Sequence, residues 1–311
     1  MQKIIDALMG IRIGESITSQ NLTVFPLLGG EMKSSGYLTL DEALEQKLCA
    51  VTEISESGRV PELKFVNSAN FRVFLLNGEE LIGAKQNRIL NLSIMVPAGK
   101  TLIIPVSCVE AGRWSHRSRQ FASSSRAFYS AGRAMQMAQV SASLRATGER
   151  RSDQAEVWRD IRAKSGSFRV YSDTSAMSDI YEHVSTRLED YVQAFSILEG
   201  QSGAVFAING NVVGVDLFDS PETFRKLFPK LLRSYGLDAL DHARREKSEM
   251  KEPCSHAKAD AFLAQVCKAK AEEFPAVGEG LDIRLSGQDF TGAALIANDQ
   301  LIHLSAFTMI S

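Results

Sequence analysis

Glu80, Lys85, Gln86, Asn87, Arg88, Glu110 and Arg113 crowd into one stretch, residues 77–114, whose other residues alternate like closely spaced β-strands. A strand region that only built a core would not need them. A carboxylate set among apolar neighbours can serve as a general acid or base, because burial raises its pKa. Lysine and arginine beside amides can hold a phosphate or a carboxylate. The chemistry on offer is therefore proton transfer next to a bound anion.

Register sharpens this. Asn77-Gly78 reads as a type I′ turn in a hairpin over residues 72–84, since both central residues of that turn need φ > 0. Leu76 then faces Glu79, and Leu75 faces Glu80. Alternation puts Glu80 with Val73, Leu75 and Ile82 on one face, and Leu81, Gly83 and Lys85 on the other. The position fits a buried acid or base and equally a hairpin-end carboxylate in reach of water. The run Lys85–Arg88 fits a solvated turn. If it is extended, Lys85 and Asn87 share one face, and Gln86 and Arg88 the other. Glu110 ends the face of Leu102, Ile104, Val106 and Cys108, with Arg113 as its nearest partner; a strand-end salt bridge accounts for the pair as well as a site does. Cys108 reads as a buried, inert thiol. These readings give Glu80, Glu110 and Asp216 as candidate catalytic carboxylates. Lys85, Gln86, Asn87, Arg88, Arg113 and Trp114 are the candidate ligand-binding residues. Asp216 stands in a second hairpin, and His303, in a third, is read as a core histidine.

The elements that must position these groups are strands over 21–28, 71–110, 203–218 and 281–310. Hairpins at 204–215 and 293–304 turn at Asn209-Gly210 and Asn298-Asp299; the three hairpins fit first the ordinary repetition of a β-rich chain, and in a sharper reading pack together into one sheet system. Leu92–Val96 alternates as a strand, and Thr101–Glu110 reads as a long one. Helices are expected over Thr39–Leu48 with Thr39 as cap, Ser178–Leu198, a segment starting at Ser220-Pro221-Glu222 and stopping at Gly236 with a kink near Pro229, and Ala257–Glu273. Ser152 or Asp153 could cap a further one. Loops are expected at 34–36 and 165–167. Residues 111–200 form a helical, basic middle, whose arginines between 111 and 170 and whose Ser123-Ser124-Ser125-Arg126 run suit either anion binding or a solvated basic segment. The fold class is α+β: a mostly antiparallel β-sheet system, sandwich or barrel-like, with a helical middle and flanking helices in a single domain over 1–311.

The net charge of −2 gives no overall attraction to nucleic acid or acidic membranes, so neither is an expected partner. A small phosphate-bearing ligand is the expected partner, with homo-oligomerisation left open. Cys49, Cys108, Cys254 and Cys267 form no CxxC pair, and the five histidines show no HxH or HExxH spacing; no metal is expected and the cofactor is unknown. No signal peptide or membrane span is apparent, so the expected location is the cytoplasm.

The runs Gly78–Asn91, Pro105–Glu110 with Gly112-Arg113-Trp114, Ser152-Asp153-Gln154 with Val157-Trp158, Val215–Asp219 and Pro221-Glu222-Thr223 together resemble the ARPP-1 family, the ARG and rhodanese-phosphatase-superfamily-associated protein domain. The resemblance covers most of the chain. Its name implies association with ADP-ribosylglycohydrolase and phosphatase-like proteins, hence work near NAD or ADP-ribose metabolism. It carries over no catalytic residues. An enzyme or processing factor acting on an ADP-ribose-like nucleotide, a non-catalytic anion-binding module and a structural or interaction protein are the three readings it leaves.

Overall fold

A computed structural model describes residues 1–29, 36–55, 58, 60–245 and 252–309. Among these, eight helices and eighteen strands form mostly antiparallel sheets, one curled into a half-barrel. The α+β expectation holds.

The largest sheet has nine strands and joins both ends of the chain. Leu22–Leu28 pairs with Gln201–Ile208, which pairs in turn with Asn211–Phe218, Gln300–Thr308, Phe290–Ala297, Leu281–Ser286 and Lys270–Pro275. Two of its turns are the expected ones. Asn209 and Gly210 have φ of 48° and 76°, and Asn298 and Asp299 have 48° and 61°, so both are type I′. Gln201–Ile208 is buried throughout. Its alternate residues enter two cores, Phe206 joining Phe218, Tyr235 and Phe307 on one face, and Val205 joining Phe25, Val215 and Leu217 on the other. Helices Gln2–Met9 and His256–Cys267 cover that second face with Ile4, Leu8, Phe262 and Val266.

A six-stranded sheet runs Phe121–Ala127, Glu79–Gly83, Arg88–Leu90, Thr101–Cys108, Glu62–Asn67 and Cys49–Glu53. A three-stranded sheet sets Arg72–Leu75 between Ile94–Val96 and Tyr37–Thr39, the latter pairing parallel. This corrects the first expected hairpin. Arg72–Leu75 and Glu79–Gly83 flank the Asn77-Gly78 turn but belong to different sheets, so Leu75 does not face Glu80. The turn closes through Glu79 N–H donating to the Leu76 carbonyl at 3.1 Å. Gly78 has φ of 79°, whereas Asn77 is not at positive φ, so the turn is not type I′.

Thr39 caps Leu40–Glu45 in a capping box with Glu42, as expected of that residue type. Other boundaries move. The helix from Pro221 continues through Pro229 and Gly236 to Arg245. Gly236 is there for close packing: a Cβ would meet Leu188 at 3.3 Å and Tyr191 at 3.5 Å. The expected 178–198 helix breaks at Val184 into Met177–His183 and Ser185–Ala194. Residues 165–167 are the last turn of Gln154–Phe168, capped by Arg169 at φ 56°, and not a loop. The expected loop at 34–36 lies outside the described residues, Gly36 apart. Ser130–Thr147 is an additional helix inside the basic middle. Among the described residues, no helix is long and apolar enough to cross a membrane.

Candidate functional site

Lys85, Gln86, Asn87, Arg88 and Arg113 are all buried, so the solvated-turn reading of 85–88 is excluded. Ala84 takes φ of 38° and Gly83 120°, turning the chain sharply between strands Glu79–Gly83 and Arg88–Leu90. The turn is held by a knot around Glu110. Arg113 grips that carboxylate with both Nε at 2.8 Å and Nη2 at 2.6 Å, the Asn87 N–H donates to it at 3.0 Å, and the Thr174 hydroxyl at 3.0 Å. Arg113 spends its remaining donors on the carbonyls of Ala84 at 2.6 Å, Ser115 at 2.8 Å and Gly83 at 3.2 Å, and on Asn87 Oδ1 at 3.2 Å. Burial alone would raise the Glu110 pKa. The Arg113 hydrogen bonds and the Asn87 N–H outweigh it, and Glu110 is held below the usual carboxylate range.

Arg88 differs. It is fully buried, and only its Nη1 is engaged, by Gln86 Oε1 at 3.1 Å and the Asn87 carbonyl at 3.4 Å. Its Nε and Nη2 have no hydrogen-bond partner among the described residues. Burial pulls its pKa below the usual guanidinium value, as expected for a cation lacking close carboxylate support. Register places Arg88 beside Cys108 and Leu81, and Glu53, opposite Leu63, reaches the same sheet face through the Leu63–Ile104 pair. Both Glu53 carboxylate oxygens are buried and lack partners among the described residues, and the Glu53 charge acts on Arg88. Lys85 Nζ stands 5.1 Å and Arg88 Cζ 5.9 Å from the ring centroid of Trp114, which is 49% exposed. A Cβ on Gly58 would touch Glu53, Lys85 and Trp114 at 3.3–3.4 Å, so the three converge on one small space. His116, Arg117 and Arg119, close behind Trp114 in the chain, are exposed. Burial raises the Cys108 thiol, Arg88 opposing, which makes it a poor nucleophile at neutral pH.

Glu80 is not part of this arrangement. It pairs with Ile89, and Arg88 pairs with Leu81, so the two side chains leave opposite faces of the sheet. Glu80 is fully buried and accepts the Ser124 hydroxyl at 2.9 Å, with Arg126 3.7 Å away; its Oε1 has no partner among the described residues. Burial raises its pKa to about 7, against the pull of Arg126 and Ser124. Glu79, its neighbour, is instead paired with buried Lys230.

The third carboxylate, Asp216, lies in the nine-stranded sheet. Arg133 Nη1 and Nη2 clamp it at 3.0 and 2.6 Å, the Tyr235 hydroxyl donates at 2.9 Å, and His303 Nε2 lies at 3.1 Å. Burial would raise its pKa, but Arg133 and His303 bring it to about 2. Among the described residues, no group of three or more His, Cys, Asp or Glu is disposed to hold a metal. A ligand-sized hollow of about 390 Å³ lies elsewhere, between helix Ser130–Thr147 and Ile208, Val213 and Met309, with apolar walls and polar groups that include Glu156, Asp238 and His242.

The resembling segments serve this scaffold. Gln154 uses its amide as a strand would, its Oε1 accepting from Cys108 N–H at 2.7 Å and its Nε2 donating to the Cys108 carbonyl at 2.8 Å. Asp153 caps the helix, and Ser152 meets Ser107 at 2.5 Å. A model of the ARG and Rhodanese-Phosphatase-superfamily-associated Protein domain matches residues 10–307. The chain belongs to the ARPP-1 family. No curated protein and no solved structure matches it. In this ARPP-1 domain, sequence reasoning missed Glu53 and Tyr235, and it placed Arg133 and Ser124 only in a basic, hydroxyl-bearing segment without their carboxylate partners. Glu53 had a readable signal: like Glu110, it extends an apolar strand face, here that of Cys49 and Val51.

Proposed function

We propose that this ARPP-1 domain binds a small phosphate-bearing nucleotide derivative, ADP-ribose-like, on the Arg88–Trp114 face of the six-stranded sheet. The carrying observation is the buried Arg88 guanidinium, two of whose nitrogens have no partner among the described residues. A buried cation is costly unless something completes its hydrogen bonds, and the planar fork matches phosphate oxygens. In this reading Arg88 and Lys85 hold the phosphate, Gln86 orients Arg88, and Trp114 stacks on a base or ribose. Glu53 accepts from a sugar hydroxyl or amine, which excludes bare inorganic phosphate as the best ligand. Asn87, Arg113 and Glu110 keep the loop in shape. The association with ARG and the rhodanese-phosphatase superfamily in the family's name supports the same ligand class. The four free thiols support a cytoplasmic setting.

One observation favours turnover as a second reading: Glu80, at a pKa of about 7, is tuned for proton transfer near neutral pH. It would act on a substrate reaching the Ser124–Arg126 side. A thermal-shift series with ADP-ribose, AMP and phosphate tests the binding proposal. ADP-ribose at a hundredfold its Kd should add about 2.7 kcal/mol. The proposal predicts loss of that gain in Arg88→Gln and Trp114→Ala; a wild-type protein indifferent to all nucleotides, or an Arg88→Gln protein that responds like wild type, overturns it. Steady hydrolysis that stops in Glu80→Gln would establish the second reading.

A further inference from the structure

Asp216 leads on to a hydroxyl outside the proposed nucleotide site. Three segments meet here. Asp216 and His303 lie on adjacent strands of the nine-stranded sheet, where Asp216 pairs with Ser305 and Phe218 with His303, so all four side chains share one face. Ser93 sits in the short link between strands Arg88–Leu90 and Ile94–Val96. His303 Nε2 is 3.1 Å from Asp216 Oδ1, and its Nδ1 is 2.9 Å from Ser93 Oγ. The Phe218 ring stacks on the imidazole at 4.5 Å and Phe74 meets it edge-on at 5.8 Å, so the ring has little freedom to turn.

Donor and acceptor directions follow without choice. Asp216, clamped by Arg133 and Tyr235, is an ionised acceptor. It therefore takes the Nε2–H of His303, which leaves Nδ1 as an acceptor in the neutral ring. Ser93 must donate to Nδ1, and its oxygen in turn accepts the Asn77 N–H at 3.0 Å. Burial favours the neutral imidazole, with Asp216 opposing. A hydroxyl, a base with a fixed tautomer and a buried carboxylate in line are the parts of an activated nucleophile. Ser93 is half-buried, at the edge of a narrow cleft. Arg284 lines that cleft, and its buried Nε has no partner among the described residues; the same is true of Asn77 Oδ1.

We propose that Ser93, His303 and Asp216 form a second, nucleophilic site for small acyl esters, with Arg284 facing the carbonyl oxygen. Ser93 Oγ attacks the acyl carbon while its proton passes to His303 Nδ1. The bond to the alcohol oxygen breaks, and His303 returns the proton to that oxygen. Water then attacks the acyl-serine, giving a proton to His303, which passes it back to Ser93. The net change is ester plus water to acid plus alcohol. Only about 10 Å³ is free in the cleft, room for about one water molecule, and Met137 and Ala294 help to wall it, so the acyl group can be no larger than acetyl and reacts at the mouth beside half-buried Ser93. The site does not depend on nucleotide binding at Arg88.

Methanesulfonyl fluoride, followed by peptide mass mapping of the folded full chain, tests this. Ser93 should be modified at least a hundredfold faster than exposed Ser115. The rate should fall as the pH drops below the ordinary histidine range, since protonated His303 cannot accept. The charged groups around His303 are Asp216 and Arg133 on its Nε2 side and Asp282 and Arg284 in the cleft, and Asp216, at about 2, does not titrate in that window. His303→Gln should lose the modification. A Ser93 no faster than Ser115, or a His303→Gln protein that keeps the reaction, overturns the proposal. Should that variant not fold, the wild-type profile decides: a rate that stays flat as the pH falls below the ordinary histidine range overturns it, and the falling limb there upholds it.

Discussion

Two buried arginine–carboxylate pairs use the same chemistry to different ends. Glu110 and Arg113 are three residues apart, and among the described residues the hydrogen-bond donors on Glu110 and acceptors on Arg113 come from residues 83–115 and Thr174, with Arg117 adding an ion pair to Glu110 at 3.7 Å. Both groups are saturated, and what they fix is the path of the loop that delivers Arg88. Asp216 and Arg133 are 83 residues apart and join the nine-stranded sheet to helix Ser130–Thr147. Asp216 also receives Tyr235 and His303, so part of its hydrogen-bonding capacity is turned toward a titratable group. A carboxylate enclosed by its own loop is scaffold. One assembled from distant elements, with a histidine in its shell, can transmit a proton. Burial and pairing alone do not separate the two; the origin of the partners does.

The largest break in this comparison comes from Arg133→Met. It leaves Asp216 charged and buried with only Tyr235 and His303 beside it, and should cost about 3–5 kcal/mol in denaturant unfolding. Arg133→Met together with Asp216→Leu should recover much of that loss, which a double-mutant cycle would measure. Next is the pH dependence of Glu80. Its folded pKa of about 7 lies above its ordinary 4.5. The neutral form is therefore favoured by folding: that contribution is complete below about 4.5 and is lost as the pH rises through 7. The loss amounts to about 3 kcal/mol, and Glu80→Gln should be more stable than wild type at pH 8. Asp216 has the opposite sign. Its folded pKa of about 2 lies below 3.8, so its contribution of about 2 kcal/mol is complete above 3.8 and lost as the pH falls through 2; acid titration of Asp216→Asn should lack that limb. Glu110→Gln should cost about 2 kcal/mol, since it removes charge from a satisfied knot while keeping acceptor atoms, and it should lower nucleotide affinity only through the loop. Smallest is Thr39→Ala, about 1 kcal/mol by thermal unfolding, because one capping box is lost and neither pair includes it.

Several elements were legible because their signals are local. The type I′ turns at 209–210 and 298–299, the Thr39 cap and the strand over 22–28 all rest on neighbours in sequence. The Asn77-Gly78 turn shows the limit. The dipeptide announces a reversal but not which strands pair, and Arg72–Leu75, apolar enough to sit centrally in another sheet, chose Ile94–Val96 and a parallel partner. Helix Ser130–Thr147 escaped notice because its buried face holds Arg133, Gln136 and Ser141, so apolar periodicity is weak where polar groups replace it. The candidate carboxylates were readable as charged extensions of apolar faces. Their separation was not: Glu80 and Arg88 are split by the sheet itself, which only the true register reveals.

The central claim is that Arg88 is the arginine left open for a ligand and Arg113 is the one consumed by the fold. The NMR signals of arginine Nε–H groups test it directly, in wild-type protein with and without saturating ADP-ribose. Arg88 should shift and its proton exchange should slow on addition of ligand, while Arg113 should be protected in both states and unmoved. A ligand-induced change at Arg113 with Arg88 unaffected, or no change at either, would contradict the account.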